Sequence, residues 1–428
     1  MRKRLVYAAA GLGVLLIALA VAAVLYRKHQ GRDIRGSASV EFQQTEPKPV
    51  KEPPHVTWPM YGYDPARLRV PEGNNLRPPF RRAPVWTFRG RGLLEFPPVI
   101  AYGRIYIVNN PGTVFAISES RGKVVWKYRS HRCSAASPAV GNHLVFVALL
   151  NKPPCNASHG ADGKVIAFDA ETGRIRWQRT IGPSESSPLL AEGLVIVGDW
   201  SHNVYAFTAA TGGLHWHFHA GGLIKGAVAL AGRRVYFGSY DTHIYALDVR
   251  TGKQVWRASS QPRIGHTGTF YANPAVSYGR VYIGATDGKM YSYGATSGKL
   301  RWSNGTGDYI YSSAAVWRRN VLVGSYDGSF YSFDAATGDV RWRFSAGGKI
   351  SGSPVVINGV VYFSTLNGKT FGLDVRNGHK LWSYPTGQYA AVIASHYRLY
   401  LVGFSKLYAL IERHPGKRPA RKHAKGKG

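Results

Sequence analysis

Apolar positions along the chain follow two patterns. Residues 5–26, LVYAAAGLGVLLIALAVAAVLY, run 22 positions without a charge. That is long enough to cross a hydrocarbon core of about 30 Å. Arg2, Lys3 and Arg4 precede the run; Arg27 and Lys28 follow it. From about residue 83 onward, short apolar runs alternate with Gly, Asn and Asp, which predicts strands joined by turns. Residues 353–382 show the unit in full. SPVVI reads as an inner strand, and Gly359 leads into VVYFS. Asn367-Gly368 then makes a hairpin turn, because both central residues of that turn need positive φ. KTFGL follows, and DVRNG turns into a last strand that contains Trp382. Asp287-Gly288 and Asp327-Gly328 hold the same hairpin position.

The unit recurs as AFDAETGRIRW (167–177), AFTAATGGLHW (206–216), ALDVRTGKQVW (246–256), SYGATSGKLRW (292–302), SFDAATGDVRW (332–342) and GLDVRNGHKLW (372–382). AISESRGKVVW (116–126) is a weaker copy. The terminal residues Trp126, Trp177, Trp216, Trp256, Trp302, Trp342 and Trp382 are spaced by 51, 39, 40, 46, 40 and 40. Trp86 lies 40 before Trp126 and keeps the phase. A four-stranded unit every ~40 residues predicts a propeller blade. A lone blade exposes two apolar faces, so it stacks on its neighbours with the tryptophan as the flat filler between them. Inner strands are expected near 97–101, 137–140, 187–191, 225–230, 273–277, 312–317, 353–357 and 390–395. The last unit, 397–411, never reaches a Trp strand. Strand 84–90 is expected to supply it beside 405–411, closing the ring and removing its open edges. The expected fold class is all-β: an eight-bladed β-propeller of four-stranded blades, preceded by one transmembrane helix. Its parts are a cytoplasmic stub (1–4), the helix as signal anchor (5–26), a Pro-rich stalk and lead-in (27–82), the propeller (83–411) and a disordered basic tail (412–428). A cleavable signal peptide is the rival for the first apolar run, with Ala18-Leu19-Ala20 as its cleavage site. The length of the run and its basic stop favour the anchor.

The AxDAxTGxxxW unit resembles the tryptophan-docking motif of pyrroloquinoline-quinone-type propellers over about 83–411. It departs from the motif at Gly294, at Asn377 and in the first unit. The resemblance implies one of two branches: quinoprotein dehydrogenases, or non-catalytic eight-bladed proteins similar to BamB, the lipoprotein of outer-membrane assembly. The compact length resembles the second. Dehydrogenases of this type hold their quinone over the central funnel. Many use a vicinal Cys-Cys pair, a calcium-binding carboxylate set and a catalytic Asp, on a larger chain with long insertions. This chain has no Cys-Cys, and its inner-strand openings offer only Glu95 and Glu185. Calcium takes six to eight oxygens, so that supply is poor. A CxxCH haem motif is absent. The reading is therefore a non-enzymatic protein with no catalytic, cofactor-binding or metal residues.

Charge and chemistry refine this picture. Lys+Arg 55 against Asp+Glu 23 gives +32, which predicts attraction to polyanions or anionic membranes. Nucleic acid is not expected, since no recognition motif appears and the proposed compartment lacks it. The expected partners are the membrane through a single pass, and envelope proteins or an anionic cell-wall polymer bound by a monomer. The propeller is placed on the extracytoplasmic side of the cell membrane. A quinone-dependent dehydrogenase is the alternative function, and a cell-surface ligand sensor the second alternative. Cys133 and Cys155 emerge on one face of a blade. They read as a disulfide in an oxidising compartment, with a reactive thiol or metal pair as the other possibility. His215, His217 and His219 share one face of an outer strand, either solvated or binding a transition metal. Residues just before the inner strands should line the funnel mouth: Glu95, Glu185, Lys225, Tyr271, Asn273, Tyr311, Lys349 and Tyr389. Their tyrosines and asparagine suit a sugar or peptide, or plug the channel.

Overall fold

The computed structural model describes residues 2–29, 31–45, 55–155, 162–262, 268–390 and 392–413, and within the first helix the side chains of 11–24. Most of the basic tail, 414–428, therefore lies outside the described residues. Eight antiparallel sheets form a closed ring of blades. The inner strands are Val99–Ala101, Ala139–Gly141, Leu189–Ala191, Ala229–Ala231, Ala275–Ser277, Ala315–Trp317, Val355–Ile357 and Ile393–Ala394, which number blades 1 to 8. Ring closure is as expected. Trp86–Arg89 pairs with Lys406–Leu410, Trp86 facing Ala409, so the first strand of the ring completes the last blade.

Each docking tryptophan does more than fill space. Trp86, Trp126, Trp177, Trp216, Trp256, Trp302 and Trp342 donate their indole N–H to a carbonyl of the next blade at 2.7–3.2 Å. The ring lies against the glycine of the neighbouring TG turn. Gly173 shows why that residue must be glycine. Its φ is +73°, and a β-carbon there would sit 2.6 Å from Trp126. One glycine thus serves the left-handed turn and the flat approach of the indole. Trp382 is the exception. Blade 8 is completed by the N-terminal strand and has no such turn to receive it. Phe80 packs edge-on against Trp382 instead, at 5.4 Å.

The segment expected to be a stalk is largely part of the ring. Residues 55–80 cross one end of the central channel, burying Val56, Trp58, Met60, Tyr61, Tyr63, Leu76 and Phe80. Val56–Trp58 pairs with the inner strand of blade 1 as a fifth strand. The segment then visits the blades in chain order. Carbonyls of Pro59, Pro65, Ala66, Leu68 and Arg69 accept the N–H of Val140, Leu230, Val276, Val316 and Val356, at 2.7–3.1 Å. Asn74 Nδ2 donates to Ser395 O in blade 8, at 2.9 Å. Blade 3 is reached by the fully buried Arg67, which donates to Ser187 O. Every inner strand is a sheet edge whose free backbone N–H and C=O groups need partners. The segment is a gasket that supplies them. Polar, Pro-rich composition hid this role, because a gasket needs carbonyls and a few large side chains rather than a strand pattern.

Ahead of the ring a helix spans Arg2–His29. Among the described residues, no helix is long and apolar enough to cross a membrane.

Candidate functional site

The gasket seals the face that carries the turns between first and second strands. The opposite face carries the links from outer strand to next inner strand, and it opens into a funnel floored by Tyr61. Glu95, Glu185, Lys225, Tyr271, Asn273, Tyr311 and Tyr389 all line that funnel. Lys349 stands outside the lining; it is exposed, with Nζ 5.1 Å over the Tyr326 ring. Asn273 does structural work. Its Oδ1 accepts Ala227 N at 2.6 Å, and its own N–H donates to Ser313 Oγ at 2.9 Å. Ser313 N in turn donates to Ser353 Oγ, and Ser137 N to Ser187 Oγ, each at 2.9 Å. A girdle of Ser and Asn thus links neighbouring blades around the channel. Its sequence signal is a Ser or Asn placed in phase before the inner strands, in SPAV, SPLL, NPAV and SPVV.

The polar centre of the funnel is Glu185. Its Oε2 lies 3.9 Å from Lys225 Nζ. The same ammonium sits over the rings of Trp200 and Tyr240, at 4.4 and 5.4 Å. Lys225 therefore occupies a box of two aromatic faces and one carboxylate. Trp200 and Tyr240 belong to turns between second and third strands, which sequence reasoning did not connect with the funnel. Burial pushes the Glu185 carboxyl up to about 7, against the pull of Lys225 and helped by the Glu95 charge. The Trp200 indole also favours the ionised Glu185 carboxyl, although Glu185 Oε2 and the buried Trp200 Nε1 complete no close hydrogen bond among the described residues. Glu95 is also raised by burial, although Asn110 donates to it at 3.3 Å. Tyr271, Tyr311 and Tyr326 form an edge-to-face chain with centroids 5.0 and 4.9 Å apart. The remaining space amounts to about 50 Å³.

Glu185 gives a pH prediction. Its native pKa is raised above the ordinary 4.5, so the protonated form favours folding. That contribution is full below 4.5 and is lost as pH rises through about 7. Glu185→Gln should therefore stabilise the protein at pH 8, on the order of 2 kcal/mol, and hardly at pH 4. Denaturation curves across that range test it; parallel pH dependences for the two proteins would contradict it.

Cys133 and Cys155 form a disulfide with Cα atoms 5.7 Å apart. It ties the blade 2 insertion, of which residues 156–161 lie outside the described residues, to the mouth face. Arg132 and Asp162 pair beside it at 2.7 Å. Both Cys133 and Cys155 are thereby consumed. His217 Nε2 and His219 Nδ1 both meet Asn203 Oδ1 at 2.9 Å, and His215 is exposed. Among the described residues no group of three His, Cys, Asp or Glu side chains is placed to hold a metal ion.

Tryptophans docked in phase, a serine girdle and a closing N-terminal strand define a tryptophan-docked eight-bladed propeller. Residues 81–180, 161–313 and 309–417 match the family described as outer membrane protein assembly factor BamB, and the chain belongs to that family. Outer membrane protein assembly factor BamB of Moranella endobia is 26% identical over 239 residues, covering 50% of this chain and 58% of that protein. Quinohemoprotein alcohol dehydrogenase ADH IIB of Pseudomonas putida is 26% identical over 246 residues, covering 52% of this chain and 31% of its own. These matches span less than two thirds of either relative. The crystal structure of BamB from Moraxella catarrhalis superimposes with a TM-score of 0.62 at 19% identity, covering 78% of this chain and all of that one, a likeness of fold.

Proposed function

We propose that the protein is a membrane-anchored, non-enzymatic propeller that docks envelope proteins through its funnel face. The observation that carries this reading is the state of the central channel. It is sealed at one end by the gasket and filled at the other by its own side chains, leaving about 50 Å³. Small-molecule sites typically enclose about 300–1,000 Å³. Recognition on the funnel face is then left to its loop surfaces, which rigid scaffolds present well. Membership of the BamB family agrees with protein docking.

Dehydrogenase likeness motivates the alternative, and the funnel fits it poorly. A tricyclic quinone exceeds the space, Glu95 and Glu185 are the only lining carboxylates among the described residues, and Lys225 already fills the aromatic box. Anchoring is supported by the uncharged run at 5–26 within the helix Arg2–His29. Leu12, Val14, Leu15, Leu16 and Ile17 are each more than half exposed there, an apolar surface that suits lipid better than water. The anchor holds a monomeric propeller on the extracytoplasmic side, where a disulfide is stable. Exposed Lys123, Arg174, Arg233, Lys253, Lys299 and Arg318 on the turns of the gasket face favour a supplementary attraction to anionic polymers.

Titration of the purified chain with pyrroloquinoline quinone and calcium, followed by dye reduction with alcohols and sugars, tests the non-enzymatic reading. The expected result is neither stoichiometric binding nor turnover. Stoichiometric binding with turnover would replace it with the dehydrogenase.

A further inference from the structure

One departure from the repeat, Gly294, has a counterpart elsewhere in the chain. In four blades the turn into the outer strand opens with an aspartate: Asp169, Asp248, Asp334 and Asp374. Asp169 shows what it does. Its carboxylate accepts Glu171 N at 3.1 Å, Thr172 N at 2.8 Å and Thr172 Oγ1 at 2.8 Å, and pairs with Arg176 at 2.7 Å. Turn amides in this position need such an acceptor. Blade 5 has Gly294 there, with no side chain to offer. Its turn amides are nevertheless satisfied. Glu41 Oε1 accepts Thr296 N at 3.1 Å and Ser297 N at 3.0 Å. Glu41 Oε2 accepts Ser297 Oγ at 2.7 Å and pairs with Arg301. Residues 296, 297 and 301 hold in blade 5 the places of 171, 172 and 176 in blade 2. A β-carbon at position 294 would collide with the Glu41 carboxylate.

We infer that the notch at Gly294 is a carboxylate receptor, and that residues 31–45 are the extended strap whose Glu41 occupies it. Glu41 supplies from outside the blade the group that the blade's own turn lacks. The rest of the strap follows blade 5. Ile34 exchanges two backbone hydrogen bonds with Ser303, both 2.9 Å, extending the sheet past its outer strand. Gly36 N donates to Thr337 O at 2.8 Å, and Gln43 N to Tyr278 O at 3.0 Å. Phe42 stacks on Tyr278 at 5.3 Å, and buried Lys289 holds Asp33 at 2.9 Å. Partial burial alone would raise the Glu41 carboxyl. The hydrogen bonds from Ser297 and Arg301 outweigh that and hold it below its ordinary 4.5. Docking by Glu41 is therefore complete above that value and weakens as pH falls below it.

The strap has a mechanical consequence. Only residue 30 separates His29 from Gly31, so a docked strap leaves no slack between the helix and blade 5. On the anchoring proposed above, it keeps blade 5 within a short reach of the membrane instead of letting the disc drift on a long linker.

Hydrogen–deuterium exchange on the full chain in detergent tests the dock itself, independently of where the helix resides. In the unaltered protein, peptides covering 31–45 should be protected at the amides of Ile34, Gly36 and Gln43. Gly294→Asp returns the aspartate to the turn and evicts Glu41. It should speed exchange across 31–45 at least tenfold while 289–305 stays protected. Glu41→Ala should speed exchange in the same segment, and it decides the matter alone if the Gly294 variant does not fold. Unchanged protection of 31–45 in these variants would overturn the receptor. A failure of the anchoring proposal would appear separately, in membrane fractionation, and would leave the exchange result standing.

Discussion

A chain starting at residue 81 should be less stable than one starting at residue 55 by about 5 kcal/mol or more. The difference between them is the gasket. It buries Trp58, Met60, Tyr61, Tyr63, Leu76 and Phe80 in the ring. A large apolar side chain contributes roughly 1.5–3 kcal/mol on full burial, so even partial loss of six exceeds the stated difference. The inner strands also lose the carbonyls that meet Val140, Leu230, Val276, Val316 and Val356. Denaturant midpoints of the two truncated chains make the comparison. Equal midpoints would mean that the ring carries itself and that the gasket is only laid on it.

Trp302→Ala should cost about 3–5 kcal/mol, the usual range for a large buried aromatic. Trp302 has no exposed surface, donates to Ala335 O at 2.9 Å and lies against Gly338. The strap crosses it as well, so this indole is covered on the side where other blades leave it partly open. Trp382→Ala should cost less. Trp382 is half-buried, and among the described residues its indole N–H has no carbonyl in the next blade. Paired unfolding measurements decide the order; equal losses would remove the indole–carbonyl bond as the source of the difference.

The propeller was legible because its information is periodic. Trp spacing near 40, paired Asn-Gly and Asp-Gly hairpins and a missing last strand lead to eight blades and to closure by 84–90, as found in the pairing of Trp86 with Ala409. The funnel residues were legible for the same reason: a residue before each inner strand faces the channel wherever the blade phase is known. Roles within the funnel were not. Asn273 reads as a ligand-binding or channel-plugging amide and serves the girdle, while Trp200 and Tyr240 reach Lys225 from turns of other parts of the repeat. The gasket and strap were hidden because they are single-copy segments. Their contacts are backbone groups and scattered single side chains such as Arg67 and Glu41, with no periodicity to expose them. Gly294 was visible as a departure from the motif, yet only the fold brings Glu41 to it.

Photo-crosslinking in intact membranes tests docking by the funnel face most directly. A photoreactive residue is placed at Tyr311 or Lys349 on the funnel face, and at Lys253 on the gasket face as a control. The expected result is one discrete envelope protein, the same from Tyr311 and Lys349 and absent from Lys253. Equal capture from all three positions, or none from the funnel face, would contradict the proposed function.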